Sequence, residues 1–106
     1  MQKLINLDSD LERGAVLRCF GSYPYEEIVD FMIVELPFNG RREYALMVIS
    51  GYKAGLIFVI LPDESYVFGE NGGGVNVEWL RANWSKWGYF ECPVEQVQVF
   101  TNFPKL

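Results

Sequence analysis

Three apolar runs in the middle of the chain constrain its fold more than any other feature. They cover residues 28–36, 44–49 and 56–61. Asn39-Gly40 separates the first two runs, and this dipeptide is typical of a hairpin because both central residues of a type I′ turn need a positive φ. The second connector, residues 51–55, has a glycine at each end, which suits a longer loop. The pattern predicts three consecutive antiparallel strands.

The register of the first hairpin follows from its turn. With Asn39-Gly40 as a two-residue loop, Val34 lies opposite Ala45 and Phe31 lies opposite Val48. One face of the two strands then carries Val29, Phe31, Ile33, Tyr44, Leu46 and Val48, and the other carries Met32, Val34, Leu36, Ala45, Met47 and Ile49. A sheet with one solvated face alternates apolar and polar residues instead. We therefore expect both faces of this sheet to be covered.

Residues 77–87 form the main predicted helix. Asn76 is a good N-cap, Glu78 complements the helix dipole, and Gly88 is predicted to end the helix in a left-handed conformation. At about 100° per residue, one side of the helix should pack on the sheet through Val77, Leu80, Trp84 and Trp87. Further strands are predicted near 15–20 and 94–100, with a short edge strand at 65–68. The sequence thus predicts a single α+β domain over residues 1–106, mostly antiparallel sheet with one main helix packed on it.

The composition disfavours several classes of protein. Half of the 106 residues are hydrophobic, but no apolar run approaches the ~18 residues of a transmembrane helix, so no membrane partner is predicted. The first residues lack the basic and long apolar regions of a signal peptide, which favours a cytoplasmic protein. No basic stripe is present that could follow a phosphate backbone, so nucleic acid is not a predicted partner.

Residues that carry chemistry are scarce. The sequence has no histidine, which removes most nucleophile–base pairs and most metal sites. Cys19 and Cys92 lack C-x-x-C spacing, and buried free thiols are favoured over a disulfide or a metal role. The glycine-rich residues 69–74 resemble an anion-binding loop, but no Lys-Ser/Thr pair follows them, so a flexible connector is favoured. We predict no enzyme activity, no cofactor and no metal.

The charge and one tryptophan leave alternatives open. The net charge is −5, and the first forty residues hold seven acidic side chains against three basic ones. This acidity serves either solubility or steering toward a basic protein. Trp79 points roughly 120° away from the apolar side of the predicted helix. It either packs beneath the glycine-rich loop or the C-terminal segment, or forms a partly exposed anchor for a partner.

A tryptophan-rich motif near the C-terminus resembles a known family. Residues 79–87 read W-L-x-x-N-W-x-K-W, and residues 92–97 read C-P-V-x-x-V. This pattern is similar to that of small immunity proteins of bacterial polymorphic-toxin and contact-dependent growth inhibition systems, specifically the immunity protein 45 type. The motif covers about residues 79–97, and upstream the similarity is limited to a glycine-rich loop and β-rich runs.

The resemblance implies a cytoplasmic non-enzyme that neutralises the C-terminal domain of a cognate toxin, often a nuclease. Nuclease domains are commonly basic where they meet nucleic acid, so an acidic inhibitor fits them. We predict a partner-binding surface formed by Glu26, Glu27, Asp30, Asp63, Glu64, Tyr66, Glu70 and Trp79. The alternative is a homodimeric structural or regulatory protein that uses an exposed apolar face of the sheet. A small enzyme or ligand-binding fold built on carboxylates and tyrosines is a third interpretation.

Overall fold

A computed structural model of the chain describes residues 2–22, 25–38, 41–69 and 72–101. The strands in these residues are β1 (Gln2–Lys3), β2 (Leu11–Glu12), β3 (Val16–Phe20), β4 (Ile28–Phe38), β5 (Arg41–Val48), β6 (Ile57–Ile60), β7 (Tyr66–Gly69), β8 (Gly72–Val75) and β9 (Gln98–Phe100). The helices are α1 (Val77–Ala82) and α2 (Trp84–Trp87), and single 3-10 turns occupy Leu4–Asn6, Asp63–Ser65 and Val94–Gln96.

The larger sheet is antiparallel and has the strand order β1-β9-β3-β4-β5-β6. Within it, β4 and β5 pair with Phe31 opposite Val48 and Val34 opposite Ala45, which is the register expected from the sequence. The Asn39-Gly40 turn itself lies outside the described residues. The predicted meander is confirmed, as are the strand near 15–20 and the end of the one near 94–100. A 3-10 turn replaces the beginning of the latter.

A second sheet of three strands has the order β2-β8-β7. Its edge strand β7 matches the predicted strand at 65–68, but β8 occupies glycines that were expected to form a flexible connector. That expectation is wrong for residues 72–74. An added Cβ would lie 2.6 Å from the Val67 oxygen at Gly73 and 2.3 Å from the Leu11 oxygen at Gly74. The glycines therefore allow β8 to lie close to both neighbouring strands.

The hydrophobic core lies on one face of the six-stranded sheet. The helices and the small sheet contribute side chains to the same buried cluster as that face. Its fully buried members include Leu11, Leu17, Phe31, Ile33, Tyr44, Leu46, Val75 and Leu80. Trp84 is 2% exposed, whereas Trp87 is only partly buried at the margin of the cluster. The side of the predicted helix that was expected to pack inward therefore does so.

The predicted helix is interrupted. Asn76 caps α1 as expected, since its side chain accepts a hydrogen bond from the Trp79 N–H at 2.8 Å. At Asn83 the backbone leaves helical geometry, with φ −112° and ψ 12°, and the Asn83 amide donates to the Trp79 carbonyl at 2.9 Å. Gly88 ends α2 at φ −99° and ψ −165°, so the predicted left-handed stop is wrong. Glycine is needed there because an added Cβ would lie 2.3 Å from the Trp84 ring.

The opposite face of the six-stranded sheet is only partly shielded. We call it the open face. Its apolar side chains are Val16, Phe20, Ile28, Met32, Val34, Leu36, Ala45, Met47, Ile57, Ile60 and Phe100. Phe20 is 54% exposed and Ile60 is 48% exposed. Within the described ranges the small sheet and both helices contribute to the core on the other side, so the expectation that both faces are covered is not met. None of the described helices is long and apolar enough to cross a membrane.

Candidate partner-binding surface

The predicted acidic residues lie at two opposite ends of the large sheet. Glu26 and Glu27 directly precede β4, whereas Asp63 and Glu64 follow the end of β6. Both strands are antiparallel to β5, so β4 and β6 run in the same direction. The start of one and the end of the other are therefore at different ends. The structure does not bring the two groups together.

Asp30 lies in β4 and forms an ion pair on the open face, so it is not an unpaired charge in a loop. Its two carboxylate oxygens accept hydrogen bonds from Arg18 Nε at 2.9 Å and Arg18 Nη2 at 3.0 Å. These hydrogen bonds and the charge of Asp30 raise the pKa of Arg18. The guanidinium also lies 5.1 Å from the centre of the Phe100 ring. The Asp30 charge is thus already compensated, and a partner that contacts it meets a neutral pair.

Glu26 lies against the loop between β5 and β6. Its Oε1 accepts a hydrogen bond from the Tyr52 N–H at 3.3 Å. Gly51 beneath it has φ +71°, and an added Cβ there would collide with the Glu26 carboxylate. The Lys53 ammonium lies 5.4 Å from the Tyr52 ring centre. This end of the sheet therefore carries both signs of charge, and Glu27 is an exposed neighbour.

A concave site occupies the other end of the sheet. It has a volume of about 310 Å³ and is lined by Arg42, Asp63, Tyr66 and Phe68. The Tyr66 hydroxyl donates to the Leu61 carbonyl at 2.5 Å, which fixes the ring. Phe68 stands edge-to-face with Tyr66 at 6.3 Å between ring centres and is 74% exposed. An exposed aromatic ring on a fixed neighbour is a suitable anchor for another protein.

Glu35 organises the base of this site. It accepts hydrogen bonds from Arg13 at 3.1 Å and from the Tyr44 hydroxyl at 3.2 Å, and Arg42 Nε lies 3.8 Å away. Burial and the neighbouring Glu35 carboxylate raise the pKa of Tyr44. Tyr44 in turn stacks edge-to-face on Tyr66 at 5.3 Å. The aromatic wall of the site is therefore attached to the core by one continuous network.

Sequence reasoning found Asp63 and Tyr66 in this site but missed Phe68 and Arg42. Tyr66 and Phe68 are two residues apart on the predicted edge strand, and this spacing places both on one face. That signal was present in the sequence. Glu64 is exposed on the same turn as Asp63, and Glu70 lies outside the described residues. No group of three or more possible metal ligands occurs in the part of the chain that the structure describes.

Trp79 lies elsewhere, on α1. It is half-buried against the core, and its ring centre is 6.2 Å from that of Trp87. This contact agrees with the alternative in which Trp79 packs against the rest of the chain, although it packs on Trp87 rather than beneath the glycine-rich loop. Its role in partner binding stays a prediction.

The family model for immunity protein 45 matches residues 4–99. The chain belongs to the immunity protein 45 family. Comparison with curated proteins and with solved structures gives no match. The match covers β2 to β8 and both helices and ends within β9, so the resemblance at residues 79–97 is confirmed and extends to nearly the whole fold.

In this immunity protein 45 domain the tryptophan motif connects two segments of the chain by a buried hydrogen bond. Trp84 Nε1 donates to the Cys92 carbonyl at 2.8 Å, which joins the helical half of the motif to the C-P-V half. Asn83, just before it, breaks the helix and thereby sets the direction of α2. The motif therefore fixes part of the core through Trp84.

Proposed function

We propose that the chain is an immunity protein that neutralises a cognate toxin domain by direct protein–protein binding and is not itself an enzyme. The family match over residues 4–99 is the observation that carries this proposal. Immunity proteins act as inhibitors of a toxin encoded beside them, and the proposal places the binding event in the cytoplasm. The toxin-encoding gene is expected immediately upstream, in a polymorphic-toxin or contact-dependent inhibition locus.

The proposed binding surface is the concave site at the β6 end of the sheet. Phe68 supplies a largely exposed aromatic side chain, and Tyr66 holds it in place through the edge-to-face contact. Asp63 and Glu64 add negative charge beside this ring. Anchors of this kind dominate binding energy, whereas surrounding charges set the rate and specificity of encounter.

The charge of the chain favours a basic toxin domain. The net charge is −5, and complementary charge raises the association rate and rejects wrong partners. A nuclease fits this requirement because its substrate-binding surface is itself basic. The proposal therefore excludes nucleic acid and membranes as partners of the immunity protein itself.

The test measures association and dissociation rates with the toxin domain encoded upstream. Phe68→Ala is expected to weaken binding by at least ~30-fold, mainly through faster dissociation, because it removes a hot-spot ring. The matched control is Phe90→Ala, which removes another exposed phenylalanine (69%) away from the concave site and should bind as wild type. The double variant D63K/E64K is expected to slow association about 10-fold at low salt and to lose this effect near 0.5 M salt.

A second pair of charge reversals distinguishes the two ends of the sheet. E26K/E27K changes the same amount of charge at the β4 start and should have the smaller effect on association. If E26K/E27K slows association and neither D63K/E64K nor Phe68→Ala weakens binding, the toxin-binding surface lies at the β4 start rather than at the β6 end of the sheet. If the wild-type chain does not bind the toxin domain, the proposed function is wrong.

A further inference from the structure

The open face of the six-stranded sheet carries an apolar row that crosses five adjacent strands. Strand pairing places the members of this row side by side in the order Phe100, Val16, Met32, Met47 and Ile57. A second row across three strands consists of Val34, Ala45 and Ile60. Ile57 and Ile60 are 40% and 48% exposed, so the rows reach solvent at the β6 edge, whereas Val16 and Ala45 within the rows are buried. Exposed apolar side chains grouped in this way mark interaction sites.

The charges on this face nearly balance. The charged residues that strand pairing places there, within the described ranges, are Lys3, Arg18, Asp30, Arg41 and Glu43. Three are basic and two are acidic, although the whole chain has a net charge of −5. Arg18 and Asp30 pair with each other inside the face at 2.9 Å. The acidity of the chain therefore lies outside the open face.

This balance decides which occupant the face fits. A basic toxin domain gains nothing from a surface without net negative charge, so the steering charges and the open face serve different contacts. A second copy of the same acidic chain meets little charge repulsion at this face, since the negative charges lie elsewhere. Methionine, phenylalanine and arginine, all present on this face, are also the residues that buried protein interfaces favour.

The size of the face suits a stable dimer. Six strands spaced by ~4.8 Å give a width of about 24 Å, and the eleven residues of β4 extend over roughly 36 Å. The other strands are shorter than β4, so the face is smaller than this rectangle and would bury on the order of 700 Å² per chain. This area approaches the ~800 Å² per partner of a standard interface. Two sheets that pack face to face across ~10 Å form a sandwich, the arrangement in which both faces of an apolar sheet are buried.

We propose that the chain forms a two-fold symmetric homodimer in which the open faces of two six-stranded sheets pack against each other. The concave site and Phe68 belong to the second sheet and to the end of β6, so they stay accessible in this dimer. Each dimer could then bind two toxin domains. The proposal extends the function above and does not depend on it.

Sedimentation velocity of the full chain tests the proposal at 1–100 µM. The expected species has twice the chain mass of 12.2 kDa. The double variant I57K/I60K places four like charges in the interface of the dimer and should weaken dimerisation at least ~100-fold. Both positions are already 40–48% exposed, so the variant should stay folded as a monomer. Phe90→Lys, at an exposed site outside the open face, is the matched control and should remain dimeric.

Toxin binding separates this proposal from the proposed function. The monomeric I57K/I60K variant is expected to bind the toxin domain with the affinity of the wild type. A wild-type chain that sediments as a monomer at 100 µM overturns the dimer, and so does an I57K/I60K variant that dimerises as wild type. A monomeric wild type that loses toxin binding on I57K/I60K substitution would assign the open face to the toxin instead.

Discussion

Substituting Gly88 by alanine tests the packing that the tryptophan motif creates. An added Cβ would lie 2.3, 2.4 and 2.7 Å from Cε3, Cδ2 and Cζ3 of the Trp84 ring. The ring has no room to withdraw, because it is 2% exposed and its Nε1 donates to the Cys92 carbonyl at 2.8 Å. The backbone itself accepts alanine, since φ is −99°. The whole effect of Gly88→Ala is therefore steric.

The expected loss of stability is about 3 kcal/mol, the upper part of the range for overpacked cores, because relief of the clash also breaks a buried hydrogen bond. Urea unfolding followed by tryptophan fluorescence should show a midpoint about 2 M lower, given the slope typical of small domains. Gly55→Ala is the control, since nothing lies within 4 Å of its Cβ position and only its φ of +97° is unfavourable.

A double-mutant cycle identifies the partner of the clash. Trp84→Phe shortens the ring and opens space at the same position, so Gly88→Ala should be less destabilising in that background. If Gly88→Ala alone changes the free energy of unfolding by less than about 0.5 kcal/mol, the contact between Gly88 and Trp84 is described incorrectly.

Two further predictions concern the cap of α1 and the buried thiol. Asn76→Ala should destabilise the domain by about 1 kcal/mol in urea unfolding because the Trp79 N–H loses its acceptor. Asn76→Ser keeps an acceptor and should retain most of the wild-type stability. Equal stability of the two variants would contradict the capping role of Asn76. Burial, and then the neighbouring Cys92, raise the pKa of the Cys19 thiol in the folded state above its usual value of 9.0. Above pH 9 the unfolded thiol therefore releases its proton while the folded one keeps it, and the free energy of unfolding should fall by up to ~1.4 kcal/mol per pH unit. Cys19→Ala should reduce this slope between pH 9 and 10, and an unchanged slope would refute its origin in Cys19.

The central hairpin could be predicted in register because its information is local. Asn39-Gly40 specifies a two-residue loop, and that loop determines every pair from Phe38–Arg41 to Phe31–Val48. The sequence could not tell which of the two apolar faces is buried, since both have the same period and composition. The choice depends on where the small sheet and the helices attach, which is long-range information.

The interruption at Asn83 and the strand β8 were beyond sequence reasoning for a related reason. Helical periodicity continues through Asn83, and the Trp84 side chain that follows the break binds the Cys92 carbonyl, eight residues further on. The glycines of β8 have no side chains and therefore no period to detect. They are placed in a strand by pairing on both sides, since Glu12 of β2 and Val67 of β7 both lie opposite Gly74.

The candidate site was only partly accessible from sequence. Asp63 and Tyr66 are close in the chain and were found together, but Arg42 reaches them from the other side of the hairpin. Glu26 and Glu27 were grouped with them by charge alone, and strand direction places them at the other end of the sheet. Charge counts along a sequence do not carry this directional information.

The central claim is that this chain neutralises one toxin by binding it, and cell survival is its most direct test. The chain is co-expressed with the toxin domain encoded immediately upstream, and colony counts are compared with those of cells that express the toxin domain alone. Cells with the wild-type chain or Phe90→Ala should survive, whereas those with Phe68→Ala combined with D63K/E64K should die. Death of cells in which the wild-type chain is abundant and folded would contradict the account.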